Sequence, residues 1–334
     1  MKVFPDFDDV SRAAERLAGI VVHTPLIRCA VLDGLTGGRI LLKAETLQRT
    51  GSFKIRGAYN RLKQLVEDGR DQGGVVAFSS GNHAQGVAEA ARLLGMRAAI
   101  VMPRDAPGLK IENTRRLGGE IIFYDRWTED REAICASIAA SRSATIVPSF
   151  DDAGVIAGQG TVGLEMAADA GALGLALDAV YIPASGGGLA AGIGLALQKL
   201  SPETELYTAE PLGLDDHVRS LAAGERLGND PAARSICDAL LAPMPGRLTF
   251  QLNRHRLSGG VTATDAEVWR AIAFACGTLK LLVEPGGAVA LAALLAGRID
   301  ARDKTIGIVL SGGNIDPAVL ARALQPEAAS ATAT

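Results

Sequence analysis

From Gly73 onward the chain alternates short apolar runs with stretches whose apolar residues recur at helical spacing, and nothing else in it restricts the fold as much. Val75-Val76-Ala77-Phe78 reads as a strand, and Val87, Ala90, Ala91 and Leu94 then line a helix that Gly95 ends. Further strands are predicted at residues 98–102, 120–124, 145–147, 179–183, 205–209 and 305–310. Helices are predicted at 107–117, 128–141, 160–169, 188–200, 265–276 (with Thr264 as N-cap) and 284–296. Strands that alternate with helices in this way build parallel sheets covered by helices, so the fold class is α/β. Ahead of this block, Val10, Ala13, Ala14, Leu17 and Ile20 mark a helix opened by Asp8 or Asp9. His23-Thr24-Pro25-Leu26 stops it, because a residue before proline disfavours helix. A short strand at 40–42 leads to a lysine-bearing stretch.

A chain of 334 residues, 48% hydrophobic and 21% charged, is long and apolar enough to bury a large core as one domain or two. A net charge of −3 leaves no electrostatic footprint for nucleic acid or for an anionic membrane. Cys29, Cys135, Cys237 and Cys276 form no CxxC pair, so neither a zinc site nor a disulfide framework is indicated. The first residues lack an apolar signal core and no apolar run reaches membrane-spanning length, so the expected location is the cytoplasm. The Ala/Ser/Thr-rich residues 325–334 read as a disordered tail.

Four stretches carry chemistry. In Thr50-Gly51-Ser52-Phe53-Lys54-Ile55-Arg56-Gly57-Ala58, one lysine sits among small and polar neighbours before a helix at 57–65. Desolvation and nearby cations lower a lysine's pKa and make its amine a nucleophile, as a Schiff base with a carbonyl cofactor requires. Alone, Lys54 reads as an ordinary lysine opening a helix. Ser185-Gly186-Gly187-Gly188-Leu189 follows a strand and opens a helix, where backbone N–H groups and the helix dipole suit an anion such as phosphate. A tight turn or a dinucleotide site would look alike, although no acidic residue follows where a ribose would need one. Ser79-Ser80-Gly81-Asn82-His83 also joins a strand to a helix, and alone reads as a cap. His83 shares no ligand spacing with His23, His217 or His255. Glu210 and Asp216 flank a loop after a strand; with the Leu214 carbonyl they suit Mg²⁺ or Ca²⁺, although spacing alone favours a solvated acidic loop.

Taken together these stretches resemble one family. Ser52-Phe53-Lys54-Ile55-Arg56-Gly57-Ala58 is similar to the pyridoxal phosphate (PLP) lysine motif of the serine/threonine dehydratases and serine racemases, which have the tryptophan-synthase-β-like fold type II. Ser79-Ser80-Gly81-Asn82-His83, Ser185-Gly186-Gly187-Gly188, Ala209-Glu210-Pro211 and Ser311-Gly312-Gly313-Asn314 match in the family's order, from about His23 to Leu320. The resemblance implies two parallel α/β domains with PLP in the cleft between them. The large one would take residues 1–69 and 146–324, with a small domain, 70–145, inserted. It also implies roles. Lys54 would hold PLP and take the substrate's Cα proton, with Phe53 against the ring and Asn82 on the phenolic oxygen. Ser185 to Leu189 would hold the phosphate. Ser79, Ser80, Asn82 and His83 would bind the substrate, and Ser80 matches a residue that exchanges a proton on the opposite face in racemases. Arg131 matches an arginine that approaches dicarboxylates, while as a bare sequence feature it is a helix surface charge. Glu210, Leu214 and Asp216 would hold the cation. Ser311 would face the pyridine nitrogen, which a serine cannot keep protonated as an aspartate would; this suits β-elimination better than transamination.

The activity so implied is a PLP-dependent ammonia-lyase converting L-threonine or L-serine to a 2-oxo acid and ammonia. A 3-hydroxyaspartate dehydratase or a serine racemase are the alternatives within the family. A non-catalytic Rossmann-like nucleotide-binding protein would explain the α/β pattern and the glycine-rich turn, but not Lys54 and Ser311. Two departures stand out: Ser185 where the family often has glycine, and Pro148-Ser149 in place of a His-Pro pair near the substrate, which leaves the substrate side chain open. The sequence stops soon after the Ser311 motif, so no C-terminal regulatory domain is expected, as in the catabolic threonine dehydratases. The partners implied are a small β-hydroxy amino acid and a second or further copies of the chain, as homodimer or homotetramer.

Overall fold

The computed structural model describes residues 4–79, 81–106 and 108–325. Its strands are β1 (Leu26–Arg28), β2 (Arg39–Ala44), β3 (Val75–Phe78), β4 (Ala98–Pro103), β5 (Glu120–Tyr124), β6 (Thr145–Ile146), β7 (Ala179–Pro183), β8 (Glu205–Pro211), β9 (Gly259–Ala263) and β10 (Thr305–Leu310). They form two sheets. One has the order β1-β2-β10-β7-β8-β9 and is parallel except for the antiparallel β1; the other, β5-β4-β3-β6, is parallel throughout. The four-stranded sheet takes all its strands from Val75 to Ile146, between β2 and β7 of the larger one. The predicted α/β class and the parallel sheets are what the chain builds.

Parallel strands buried on both faces read as continuous apolar runs. β7 and β10 fit this, being buried along their whole length at the middle of the larger sheet. The helix Pro285–Leu295 covers one face, with every residue from Pro285 to Leu294 buried. On the other face the helices Ala153–Ala172 and Gly188–Leu200 cross almost backbone to backbone. A Cβ on Gly192 would lie 2.5 Å from the Gly160 nitrogen, so only glycine permits this contact. Every chemistry-bearing loop leaves the carboxyl end of a strand: Ser79–His83 after β3, Ser185–Gly188 after β7, the Asp216 loop after β8 and Ser311–Asn314 after β10. Ligands bind at that edge of parallel sheets.

Several boundaries differ from the sequence reading. The first helix, Phe7–Leu17, is capped by Asp6 and not by Asp8 or Asp9. Asp6 accepts the Asp9 N–H while the Asp9 carboxylate accepts that of Asp6, and the apolar pattern shows only from Val10. The lysine helix is Lys54–Glu67, because Phe53 is already helical at φ −56°, ψ −18°. Asp152 starts the helix predicted at residue 160, and Asp130 the one predicted at 128. Helix Asp265–Phe274 passes into a π-helical turn, Ala275–Leu279, that contains Cys276.

Beneath the lysine helix lies a buried ion network. Arg56, Lys43 and Glu45 have no exposure. Arg56 bonds Glu45 at 2.8 and 2.9 Å and Glu165 at 2.6 and 2.8 Å, and Lys43 pairs with Glu165 at 2.7 Å. Burial alone would lower the Arg56 pKa, but the two carboxylates outweigh it and hold the guanidinium above its usual value. The network ties the start of the lysine helix to β2 and to helix Ala153–Ala172. Among the described residues no helix is long and apolar enough to cross a membrane.

Candidate active site

Lys54 occupies the first turn of its helix, with its amine 5.2 Å from the centre of the Phe53 ring. Nζ donates to the Ser149 carbonyl at 2.7 Å. Burial lowers its pKa to about 8, against the opposing charge of Glu284, so the free amine is accessible near neutral pH. The next residue after Ser149 links the lysine to the glycine loop. The Phe150 ring lies where a Cβ on Gly186 would have to go, 2.3 Å away. The Pro148-Ser149 departure thus falls at the lysine itself.

The Ser311 segment closes the other side. Phe53 N–H donates to the Ser311 carbonyl at 3.2 Å, and Ser52 bridges Gly312 in antiparallel register. Ser311 is 6% exposed, directly after β10. Asn314 donates to the Thr50 carbonyl and to the Asn82 side-chain oxygen, both at 2.8 Å. Asn82 in turn donates to Glu284. Burial pushes the Glu284 carboxyl up to about 7, against the pull of Lys110, the Asn82 bond and Lys54, and its Oε2 has no hydrogen-bond partner.

In the glycine loop Gly187 is left-handed (φ 90°, ψ 2°) and caps helix Gly188–Leu200. The Gly186 carbonyl accepts from Gly246 N–H at 3.1 Å and Thr249 Oγ1 at 2.5 Å, and the Ser185 hydroxyl accepts from Ala242 N–H at 3.0 Å. These bonds fix the loop from behind. His217 packs on Gly187 and is fully buried; burial lowers its pKa to about 4, so it stands there as neutral imidazole. The His217 N–H leads to the acidic pair, donating to Glu210 at 2.8 Å. Burial and the Asp216 charge raise Glu210 to about 8, and burial raises Asp216 to about 6. Asp216 Oδ2 is buried without a partner, and Leu214, between the two in the chain, is buried. Among the described residues no three His, Cys, Asp or Glu side chains converge to hold a metal.

The other predicted residues that the structure describes fall around the same edge. Ser79 accepts the Gly81 N–H at 3.1 Å. His83 is buried with Nε2 2.9 Å from the Val147 carbonyl; burial first, and the Lys54 charge second, lower its pKa to about 3. Ser80 lies outside the described residues. Arg131 is exposed, with its guanidinium stacked 4.7 Å over the Phe78 ring.

The sequence matches the family described as pyridoxal-phosphate dependent enzyme over residues 17–312. The chain belongs to that family. It is similar to an L-threo-3-hydroxyaspartate ammonia-lyase of Pseudomonas sp, at 44% identity over 93% of this chain and 95% of that one. It is 37% identical to a serine racemase of Schizosaccharomyces pombe over 94% of both chains. Among solved structures it superposes on a T.th. threonine deaminase with a TM-score of 0.87 and 41% identity, over 93% of this chain and 99% of that one.

The residues present fit this family's cofactor: an amine of lowered pKa, a helix N-terminus with a left-handed glycine at its N-cap and no side chain capping it, and a buried neutral serine after β10. A divalent cation fits Glu210 and Asp216, since a buried carboxylate oxygen without a partner beside a second buried carboxylate is costly unless a cation compensates it. Two residues of this edge carry no signal along the chain: Glu284 precedes Pro285 like any residue before a helix, and Lys110 lies in a mixed polar helix that also carries Glu112, Arg115 and Arg116.

Proposed function

We propose that this chain is an ammonia-lyase that eliminates water from a β-hydroxy-α-amino acid and releases a 2-oxo acid and ammonia. L-Threonine and L-serine are its main substrates in this reading, giving 2-oxobutanoate and pyruvate. The likeness to the 3-hydroxyaspartate ammonia-lyase of Pseudomonas sp supports 3-hydroxyaspartate as a second reading. The observation that carries the proposal is the Lys54 amine, held on the Ser149 carbonyl at 2.7 Å with its pKa lowered by burial to about 8 against the charge of Glu284.

Bound PLP supplies an electrophilic carbon for the substrate amine and a sink for the electrons of the breaking bonds. The protein does the rest. Lys54 Nζ, with a pKa near the working pH, takes the Cα proton. Ser185 to Leu189 would hold the phosphate through backbone donors, and Phe53 and Asn82 would orient the ring. Ser311, a neutral hydroxyl, would face the pyridine nitrogen without the charge needed to keep it protonated, which would favour loss of a β-leaving group. Ser79, Ser80, Asn82 and His83 bind the substrate carboxylate. Glu210, Leu214 and Asp216 would hold Mg²⁺ or Ca²⁺, and His217, which packs on Gly187 while its N–H donates to Glu210, would connect that site to the glycine loop. The two sheets support a division into a large domain, 1–69 and 146–324, and a small one, 70–145. A cytoplasmic homodimer or homotetramer completes the reading.

The test is to incubate the PLP-loaded protein with L-threonine, L-serine, D-serine and the 3-hydroxyaspartate isomers. Release of 2-oxo acid and ammonia is followed, with chiral chromatography of the remaining substrate. Rapid 2-oxo acid formation from threonine or serine is expected. Inversion of serine without 2-oxo acid would replace the lyase with a racemase, and silence from a yellow protein would sink the substrate class.

A further inference from the structure

One buried cation near this edge takes no part in the chemistry above. Lys110, in helix Gly108–Arg116 beside the four-stranded sheet, is 7% exposed. Its amine faces the Ser79–His83 loop: a Cβ on Gly81 would lie 3.5 Å from Nζ. It pairs with Asp238 of the short 3-10 helix Asp238–Leu240, which packs on helix Pro285–Leu295 of the larger sheet. The pair thus spans from one sheet's helices to the other's. The partners are unequal, since the Lys110 side chain is 9% exposed and that of Asp238 43%.

We propose that Lys110 receives the second carboxylate of a dicarboxylic β-hydroxy amino acid, and that Asp238 holds that place while the site is empty. The inference rests on the ammonia-lyase reading. An ammonium this buried cannot be left without a counter-charge, because removing one partner of a buried pair leaves the other's desolvation uncompensated. A monocarboxylic substrate leaves Lys110 on Asp238. A dicarboxylate exchanges one carboxylate for another, so the charge at the amine is unchanged while Asp238, already half in water, turns out to solvent. Arg131, stacked on Phe78 at the end of β3, differs in being exposed, so water compensates its charge and it needs no stand-in carboxylate. Selectivity then comes from competition between Asp238 and the substrate for one ammonium, and removing each partner acts in opposite directions.

The experiment uses the PLP-loaded enzyme and its Lys110→Met, Lys110→Arg and Asp238→Asn variants. It measures kcat/KM for L-threo-3-hydroxyaspartate and for L-serine, and succinate binding by calorimetry. Lys110→Met is expected to lower the hydroxyaspartate-to-serine ratio about 10- to 100-fold, the loss of one charged hydrogen bond, and to weaken succinate. Lys110→Arg keeps the charge and restores most of the ratio. Asp238→Asn raises the ratio through KM and tightens succinate. If the pair is only a latch, Lys110→Met and Asp238→Asn depress both substrates alike and the ratio stays put, which overturns the proposal. Wild type that converts serine but neither converts hydroxyaspartate nor binds succinate overturns it too, and leaves the lyase reading intact. Wild type silent on every substrate overturns that reading, and this inference with it.

Discussion

Gly187→Ala probes the glycine loop with the least chemistry. The residue is left-handed, and an L side chain there costs about 1–2 kcal/mol in backbone strain. Its Cβ would also lie 2.5 Å from His217 Cε1 and 2.7 Å from Asn253 Nδ2. Neither neighbour can retreat into water, since His217 is 0% and Asn253 1% exposed. Forcing a methyl group into such packing costs about 1–3 kcal/mol more, so the total is about 2–5 kcal/mol. Gly174→Ala separates the two terms: it is left-handed at φ 68° with nothing within 4 Å of its Cβ, so only the strain applies. Urea unfolding of the PLP-free proteins measures stability, and absorbance titration measures PLP affinity. Gly187→Ala should lose more stability than Gly174→Ala and bind PLP more weakly, while Gly174→Ala binds it as wild type does. Equal losses with unchanged PLP affinity would refute the reasoning.

Other consequences follow from the same geometry. Without PLP, Lys54 titrates at about 8 in the folded chain against 10.5 unfolded, so between those values the unfolded chain holds more protons. Its contribution to stability therefore rises with pH across that window; urea unfolding at several pH values should show this rise in wild type and less of it in Lys54→Met. Arg56→Met strips the buried Glu45 of its partner and should cost about 3–5 kcal/mol by the same assay. A loss below about 1 kcal/mol, within the range of exposed pairs, would mean that the network is not buried as described. Chelation should lower the melting temperature and re-addition of Mg²⁺ or Ca²⁺ restore it in wild type, with no response from Glu210→Gln. A wild type indifferent to both treatments would count against the cation site.

The parts of the site that are legible in the sequence are those whose chemistry is local. A glycine run between strand and helix, or a lysine between an aromatic residue and a helix, keeps its meaning within a few residues. Glu284 and Lys110 cannot be read that way. Each acquires its surroundings from a partner far along the chain, Asn82 at a separation of 202 residues and Asp238 at 128. The same holds for Arg56, whose burial depends on Glu45 and Glu165. Among the elements, β9 escapes a sequence reading because it opens on Gly259-Gly260, and β1 because three residues carry no period. Their strand character comes from pairing with β8 and β2. Helix Ala153–Ala172 reads too short because Gly154, Gly158 and Gly160 weaken the helical signal; they are there because β-carbons would collide with the lysine helix and with helix Gly188–Leu200.

If Lys54 is the residue that carries the cofactor, borohydride reduction followed by peptide mass mapping tests it most directly. The expected result is a pyridoxyl group on the peptide containing Lys54, and no label there in a Lys54→Ala variant that keeps the wild-type circular dichroism. A label on another lysine, Lys110 included, or no stable label from PLP-loaded protein, would contradict it.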